Sequence, residues 1–259
     1  MSTDSDNRKI MIRIENLSKS FGDQEVLTDI TLNVYEGESL VILGGSGMGK
    51  SVLMKHVLGL IKPTKGRILI EDQDITKISE RKLNKIRLKM GMMFQEGALF
   101  DSMSVGENVA FGLVQHSKMN KKEIQERVAE CLQMVGLPGT EKVRPSELSG
   151  GMRKRVAMAR AIAYQPKIII YDEPTSALDP IMGGVITKLI HRLNTKLKVT
   201  SLTITHDLKS AYIVADRIAL LINGKIIEEG SPDEIFSSEN PIVKQFVTGS
   251  DEGPIEVAQ

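Results

Sequence analysis

Residues Gly44-Gly45-Ser46-Gly47-Met48-Gly49-Lys50-Ser51 fit the spacing G-x-x-x-x-G-K-[ST], whose chemistry is phosphate capture. Glycines let backbone N–H groups approach phosphate oxygens, the lysine reaches the β/γ-phosphates, and the Ser51 hydroxyl is a Mg²⁺ ligand. With Val52, these eight residues form the first candidate nucleotide-binding set. A second cluster, Ile168-Ile169-Ile170-Tyr171-Asp172-Glu173, is an apolar run ending in two carboxylates. One acid can enter a Mg²⁺ shell while the next orients or deprotonates water, so Asp172 is assigned to metal and Glu173 to catalysis. A third, Leu148-Ser149-Gly150-Gly151-Met152, precedes a helix expected from near Arg153. Ser149 and the N–H groups of Gly150 and Gly151 make a second helix-terminal anion site.

The elements that must position these residues follow from periodicity. An apolar strand over 38–43 and a helix over 51–59, closed by Gly59, place the glycine loop between strand and helix, where free N–H groups and the helix dipole favour an anion. Strands over 11–14 and 30–34 suggest an antiparallel β layer. Lys50 and Asp172 lie much further apart than the minimum of about 10–12 residues for one crossover, so a subdomain is inserted between them. That insertion, about 96–160, is rich in helical periodicity, with 121–135 amphipathic and closed by Gly136. Its last helix has Arg153, Lys154 and Arg155 in a first turn read as solvated rather than as a phosphate patch. Strand 167–171, helix 184–196, strand 200–205 and a hairpin around Asn223-Gly224 resume the core. The fold class expected is α/β, with an antiparallel β layer and an inserted helical subdomain, and its core resembles that of the P-loop NTPases (RecA-like). Residues 1–246 are expected to form the domain and 247–259 a surface tail.

Composition narrows the function. The 259 residues include 41% hydrophobic types, enough for a full core, and 34 Lys+Arg offset 33 Asp+Glu to leave +1. No global field recruits nucleic acid or an acidic membrane. The single Cys131 excludes an internal disulfide and reads as a small core residue. No apolar run approaches the ~20 residues of a membrane span, and residues 1–8 lack the apolar core of a secretory signal. Work at a membrane therefore requires another chain to hold this one there.

Taken in order, these motifs resemble the ATP-binding-cassette (ABC) ATPases, whose signature is L-S-G-G, and the resemblance spans about residues 10–246. It implies ATP and Mg²⁺ as cofactors and a dimer of two copies that sandwich nucleotide. It also implies further roles. Phe21 would stack on adenine, core packing being the alternative. Gln95 would link Mg²⁺ and water to a membrane partner, as a catalytic and metal-linked residue. His206 would contact the γ-phosphate, and Ser176-Ala177-Leu178-Asp179 would be the loop passing between subunits. His56, His116 and His191 match no motif and are read as structural or surface residues.

Gln95-Glu96-Gly97-Ala98-Leu99-Phe100, Pro145 to Met152 and Asp179-Pro180-Ile181 are similar to the ATPases of Mla/Mce-type lipid transporters. Met152 and Gly45 depart from the residues common elsewhere in the superfamily, and neither change removes a hydrolytic group. This branch implies a peripheral position on the cytoplasmic face of the inner membrane, integral permease subunits, and a periplasmic lipid-binding Mce-type protein. It implies no nucleic-acid partner. Residues 97–111 would receive the permease, and Leu99, Phe100, Met103 and Val105 fit either that groove or a subdomain core. The alternatives are the ATPase of a small-solute importer and a soluble ABC protein acting outside transport.

Overall fold

The structure, a computed structural model, describes residues 8–255. Residues 1–7 and 256–259, which include most of the N-terminal stretch and the end of the expected tail, lie outside the described residues. In chain order the elements are β1 (Ile10–Phe21), β2 (Gln24–Tyr35), β3 (Ser39–Leu43), α1 (Lys50–Val57), β4 (Lys65–Ile70), β5 (Gln73–Asp74), α2 (Glu80–Arg87) and β6 (Met90–Met93). Then come α3 (Val105–His116), α4 (Lys121–Met134), a 3-10 turn (Pro145–Glu147), α5 (Gly150–Ala163), β7 (Ile168–Asp172), α6 (Pro180–Leu197) and β8 (Thr200–Thr205). The chain closes with α7 (Leu208–Val214), β9 (Arg217–Ile222), β10 (Lys225–Gly230), α8 (Pro232–Phe236) and α9 (Pro241–Thr248). Two compact units result: Met1–Leu83 with Leu202–Gln259, and Asn84–Ser201.

The first unit contains an antiparallel sheet in the order β2-β1-β4-β5, the β layer expected from alternation. Its strands outrun the sequence reading, because β1 and β2 each continue for 12 residues past irregular registers. The break sits at Asn16 and Asp29, both at positive φ, where the Asn16 amide donates to the Asp29 carboxylate at 2.9 Å. Asn and Asp tolerate that backbone better than most residues, so the strand bends instead of ending. The unit also holds β3, buried at all five positions, with β9 parallel on one side and β8 on the other. Burying aliphatic side chains such as Leu40 to Leu43 stabilises by roughly 1.5–3 kcal/mol each, and that fixes the strand whose end carries the glycine loop.

In the second unit β6 and β7 pair in parallel, Met90 opposite Ile168 and Met93 opposite Tyr171. The stretch expected to be helical at 96–160 holds α3, α4, the 3-10 turn and most of α5. Capping boxes start two of them, Ser104 with Glu107 for α3 and Asn120 with Glu123 for α4, each satisfying two otherwise unpaired N–H groups. Helix α6 begins at Pro180, four residues before its expected start, because Asp179 accepts from Ile181 and Met182 N–H and proline fits the first helical position. Cys131 is fully buried in α4, and burial pushes its thiol up to about 11. Among the described residues, no helix is long and apolar enough to cross a membrane.

The hairpin signal Asn223-Gly224 joins β9 to β10, with φ of 46° and 75°, the doubly positive pattern of a type I′ turn. Gly224 also packs against β2: its carbonyl accepts from Thr28 N–H at 2.9 Å, and a Cβ there would sit 2.3 Å from the Val26 carbonyl oxygen. Gly224→Ala therefore combines backbone strain with a clash against main chain and should lower stability by roughly 2–4 kcal/mol. Urea unfolding followed by circular dichroism checks this; an unchanged midpoint contradicts it.

Candidate nucleotide site

The sequence-predicted residues fall into two groups, one in each unit. In the first unit the loop from Gly44 to Gly49 leaves β3 and enters α1. Gly49 is the N-cap of α1 at φ 99°, with no side chain capping the first turn. A side chain at Gly49 would meet Leu27 Cδ2 at 2.8 Å and the Val26 carbonyl oxygen at 3.0 Å, so glycine is required both by conformation and by space. Helix α1 thus starts from the glycine loop without a side-chain cap, the setting in which helix N-termini bind phosphate.

Lys50 is buried, and its Nζ donates to the carbonyls of Gly44 at 2.7 Å and Gly45 at 2.8 Å. The ammonium is thereby held over the loop. Ser46 and Ser51 are exposed, while Gly45 and Val52 are half-buried. The far side of the loop is tied to the hairpin, since Gly224 N–H donates to the Met48 carbonyl and Asn223 N–H to Met48 Sδ, both at 3.3 Å. Gly44 N–H donates to the Thr205 carbonyl at 3.3 Å. His206, next in the chain and exposed, therefore leaves β8 beside the loop. Asp207 follows it and caps α7. Phe21 ends β1 with half its surface exposed and Lys19 Nζ 4.8 Å from its ring centroid, so it is not a core residue.

In the second unit β7 buries Ile168 to Tyr171 and delivers Asp172 and Glu173 at its end. Tyr171 OH donates to Asn194 Oδ1 at 3.0 Å, and Asn194 Nδ2 donates to Ser201 Oγ at 2.8 Å, a buried polar chain that pins this strand to α6. Burial pushes the Tyr171 phenol far up, so it stays a neutral donor. Glu173 is buried and left-handed at φ 43°, a conformation that costs a non-glycine residue roughly 1–2 kcal/mol. Its carbonyl accepts from Ser176 N–H at 3.1 Å, which starts the turn into Ser176-Ala177-Leu178-Asp179.

Ser149 caps α5, its Oγ accepting from Met152 N–H at 3.3 Å, and Gly150 and Gly151 are the first two residues of that helix. The cap lengthens α5 by a turn over the expected start near Arg153. The extension overturns the reading of Arg153, Lys154 and Arg155 as a solvated first turn. Lys154 is 5% exposed, because it lies on the same face as Ala157, Met158 and Ala161. Its Nζ donates to the Gln95 carbonyl at 2.9 Å, to Ser176 Oγ at 3.1 Å and to the Glu173 carbonyl at 3.3 Å. Further along α5, Arg160 donates to the carbonyls of Gly97 at 2.7 Å and Ala98 at 2.6 Å. Helix α5 thus holds the loop that carries Gln95, whose side chain is exposed. Sequence alone misses Lys154, since its charge argues for solvent and only the helix phase places it inside.

Residues 27–176 match the ABC transporter family. The chain belongs to the ABC transporter ATPases. It is 42% identical over 250 residues to the probable ribonucleotide transport ATP-binding protein mkl of Mycobacterium leprae, covering 96% of this chain and 72% of that one. It is 40% identical over 245 residues to the intermembrane phospholipid transport system ATP-binding protein MlaF of Haemophilus influenzae, covering 95% of this chain and 93% of that one. Among solved structures it is similar to the dimeric, post-hydrolysis ATP-binding cassette MJ0796 bound to ADP and Pi, with a TM-score of 0.78, 35% identity and coverage of 86% and 99%. This ABC ATPase binds and hydrolyses ATP through the P-loop NTPase fold.

The Tyr171 to Asn194 bond links the strand beneath the acidic pair to α6. Tyr171→Phe removes one buried donor and should cost about 1–2 kcal/mol. Denaturant titration of both proteins reads this directly, and equal midpoints would contradict it.

Proposed function

We propose that this ABC ATPase is the energy-supplying subunit of a membrane transporter that moves phospholipid, or another hydrophobic molecule, across a bacterial envelope. The observation that carries this reading is the nearly end-to-end match with a phospholipid-transport ATPase, 95% of one chain on 93% of the other. Partners would be a second copy, integral permease subunits and a periplasmic lipid-binding Mce-type protein, with the ATPase on the cytoplasmic face of the inner membrane. Residues 1–246 would act as the ATP-binding domain, about 96–160 as its helical subdomain, and the tail from 247 as an extension. Phe94, Phe100 and Phe111 are large and exposed, the last two with ring centroids 4.8 Å apart. Apolar exposure of this kind supports a membrane partner at 97–111, whereas Val105 is core.

For hydrolysis, Phe21 would stack on adenine while the N–H groups of residues 44–52 and the Lys50 ammonium hold the phosphates. Ser51, Asp172 and Gln95 offer hydroxyl, carboxylate and amide oxygens, the hard donors that suit Mg²⁺. Bound there, Mg²⁺ supplies neutralisation of charge on the β- and γ-phosphate oxygens. Glu173 would orient the attacking water and accept its proton as the bond from γ-phosphorus to the ADP oxygen breaks, and His206 would contact the γ-phosphate. Ser149, Gly150 and Gly151 of the second copy would close on the same phosphate, so ATP favours the closed dimer and hydrolysis releases it.

Two experiments test this reading. Glu173→Gln should retain ATP binding and lose turnover by roughly 100-fold or more; hydrolysis at the native rate would refute the assignment. Purification of the chain with its copurifying membrane proteins, followed by mass spectrometry, should find an integral permease, a lipid-carrying partner and phospholipid. A solute-binding protein or bound ribonucleotide would point to a small-solute importer, and ribosomes or DNA would remove transport altogether.

A further inference from the structure

Lys154 has no part in the mechanism above, yet its ammonium touches the loop that carries Gln95 and, at two points, the connection that runs from Glu173 through Ser176. An ammonium has three N–H donors and no acceptor. Here Gln95 O at 2.9 Å, Ser176 Oγ at 3.1 Å and Glu173 O at 3.3 Å match that number. Burial lowers the Lys154 pKa, while the charges of Glu173, Asp172 and Glu96 act to keep it protonated. A cation this deeply buried stays only where its donors are met.

Each acceptor belongs to a segment with a different task. Gln95 opens the loop that leads toward Phe100, Glu173 is the proposed base, and Ser176 starts the loop to α6. The Glu173 carbonyl is the decisive contact. That residue is held at φ 43°, and rotating its peptide would swing the carboxylate. Lys154 and Ser176 N–H both donate to this carbonyl, so the backbone is fixed from two sides. Lys154 itself lies in the same helix as Ser149, Gly150 and Gly151.

We propose that Lys154 is a positioning residue for ATP hydrolysis, one ammonium that locks the Gln95 loop and the connection from Glu173 through Ser176 into register with the helix that begins at the signature. The inference rests on the roles given above to Gln95 and Glu173. The bonds of Lys154 go to Gln95, Glu173 and Ser176, on loops assigned to the chemical step rather than to phosphate capture, so its loss should slow that step and leave ATP binding alone.

The test uses the full chain purified with its membrane partners, comparing Lys154→Met, Lys154→Arg, Ser176→Ala and Glu173→Gln. A misplacement on the order of 1 Å costs about 100-fold in rate. Lys154→Met should therefore lower kcat roughly 10- to 100-fold, with the ATP KM and Kd within about threefold of native. Lys154→Arg, which keeps the charge but replaces the compact ammonium by a planar fork, should recover part of the turnover lost in Lys154→Met. Turnover of Lys154→Met within about twofold of native overturns the proposal, and so does a joint fall of kcat, ATP affinity and thermal midpoint, which marks a merely structural role. If Lys154→Met does not fold, Ser176→Ala decides: a several-fold lower kcat at native ATP affinity supports the lock, and native kcat overturns it. Glu173→Gln separates the two levels. Its inactivity beside normal Lys154→Met sinks this inference alone, whereas its normal turnover sinks the assignment of the base and this inference with it.

Discussion

A buried cation must be surrounded by acceptors or it does not stay buried, and this constraint organises both units. Most of the acceptors are main-chain carbonyls. Lys50 is held by Gly44 and Gly45, Lys154 by Gln95 and Glu173 together with the Ser176 hydroxyl, the half-buried Arg160 by Gly97 and Ala98, and Arg127 by Ile162 and Ala163 together with the Glu130 carboxylate. Carbonyls left over at turns and helix ends are suited to this, because neither helix nor sheet has taken their lone pairs. The cations thereby decide where the loops lie. Three of these four loops carry residues proposed to act on nucleotide, so packing and chemistry share the same contacts.

Much of this was legible from residue order. The phosphate loop, the acidic pair after an apolar strand and the Ser-Gly-Gly helix start are local patterns with local physics, and they place Lys50, Asp172 and Ser149 without tertiary information. The hairpin at Asn223-Gly224 is equally local, since only a few residue pairs adopt two successive positive φ angles. β8 over Thr200–Thr205 is buried throughout, and its β-branched Thr and Ile residues are local strand formers.

Other features depend on contacts distant in sequence. Strand β4 begins with three exposed residues, and α2 is mostly charged with only Leu83 and Ile86 buried, so each carries too short an apolar pattern to stand out. Helix α3 did have a local signal, the Ser104 and Glu107 capping box. Of the four apolar residues that read equally as groove or core, the structure buries Val105, half-buries Leu99 and Met103 and exposes Phe100. Lys154 is the clearest case. Three adjacent basic residues read as a solvated turn until the Ser149 cap fixes the phase of α5, and one of the three then faces inward. The end of the chain behaves similarly: Ile255 N–H donates to Gln245 Oε1 at 2.7 Å, and the amide of Gln245 donates back to the Ile255 carbonyl at 3.2 Å, a return onto α9 that no local pattern announces.

Function follows from the same division. Under the proposed function, phosphate recognition and hydrolysis would reside in loops that buried cations hold in place, while cargo would belong to a partner docked elsewhere, so coupling would pass through the loops that both share. The most direct measurement is ATP-driven lipid movement. The chain and its membrane partners, reconstituted in vesicles that carry a labelled phospholipid, should transfer the label to an acceptor when ATP is hydrolysed and not when a non-hydrolysable analogue is bound. Sustained ATP hydrolysis with no lipid transfer in either direction, accompanied by uptake of a water-soluble solute, would contradict the account.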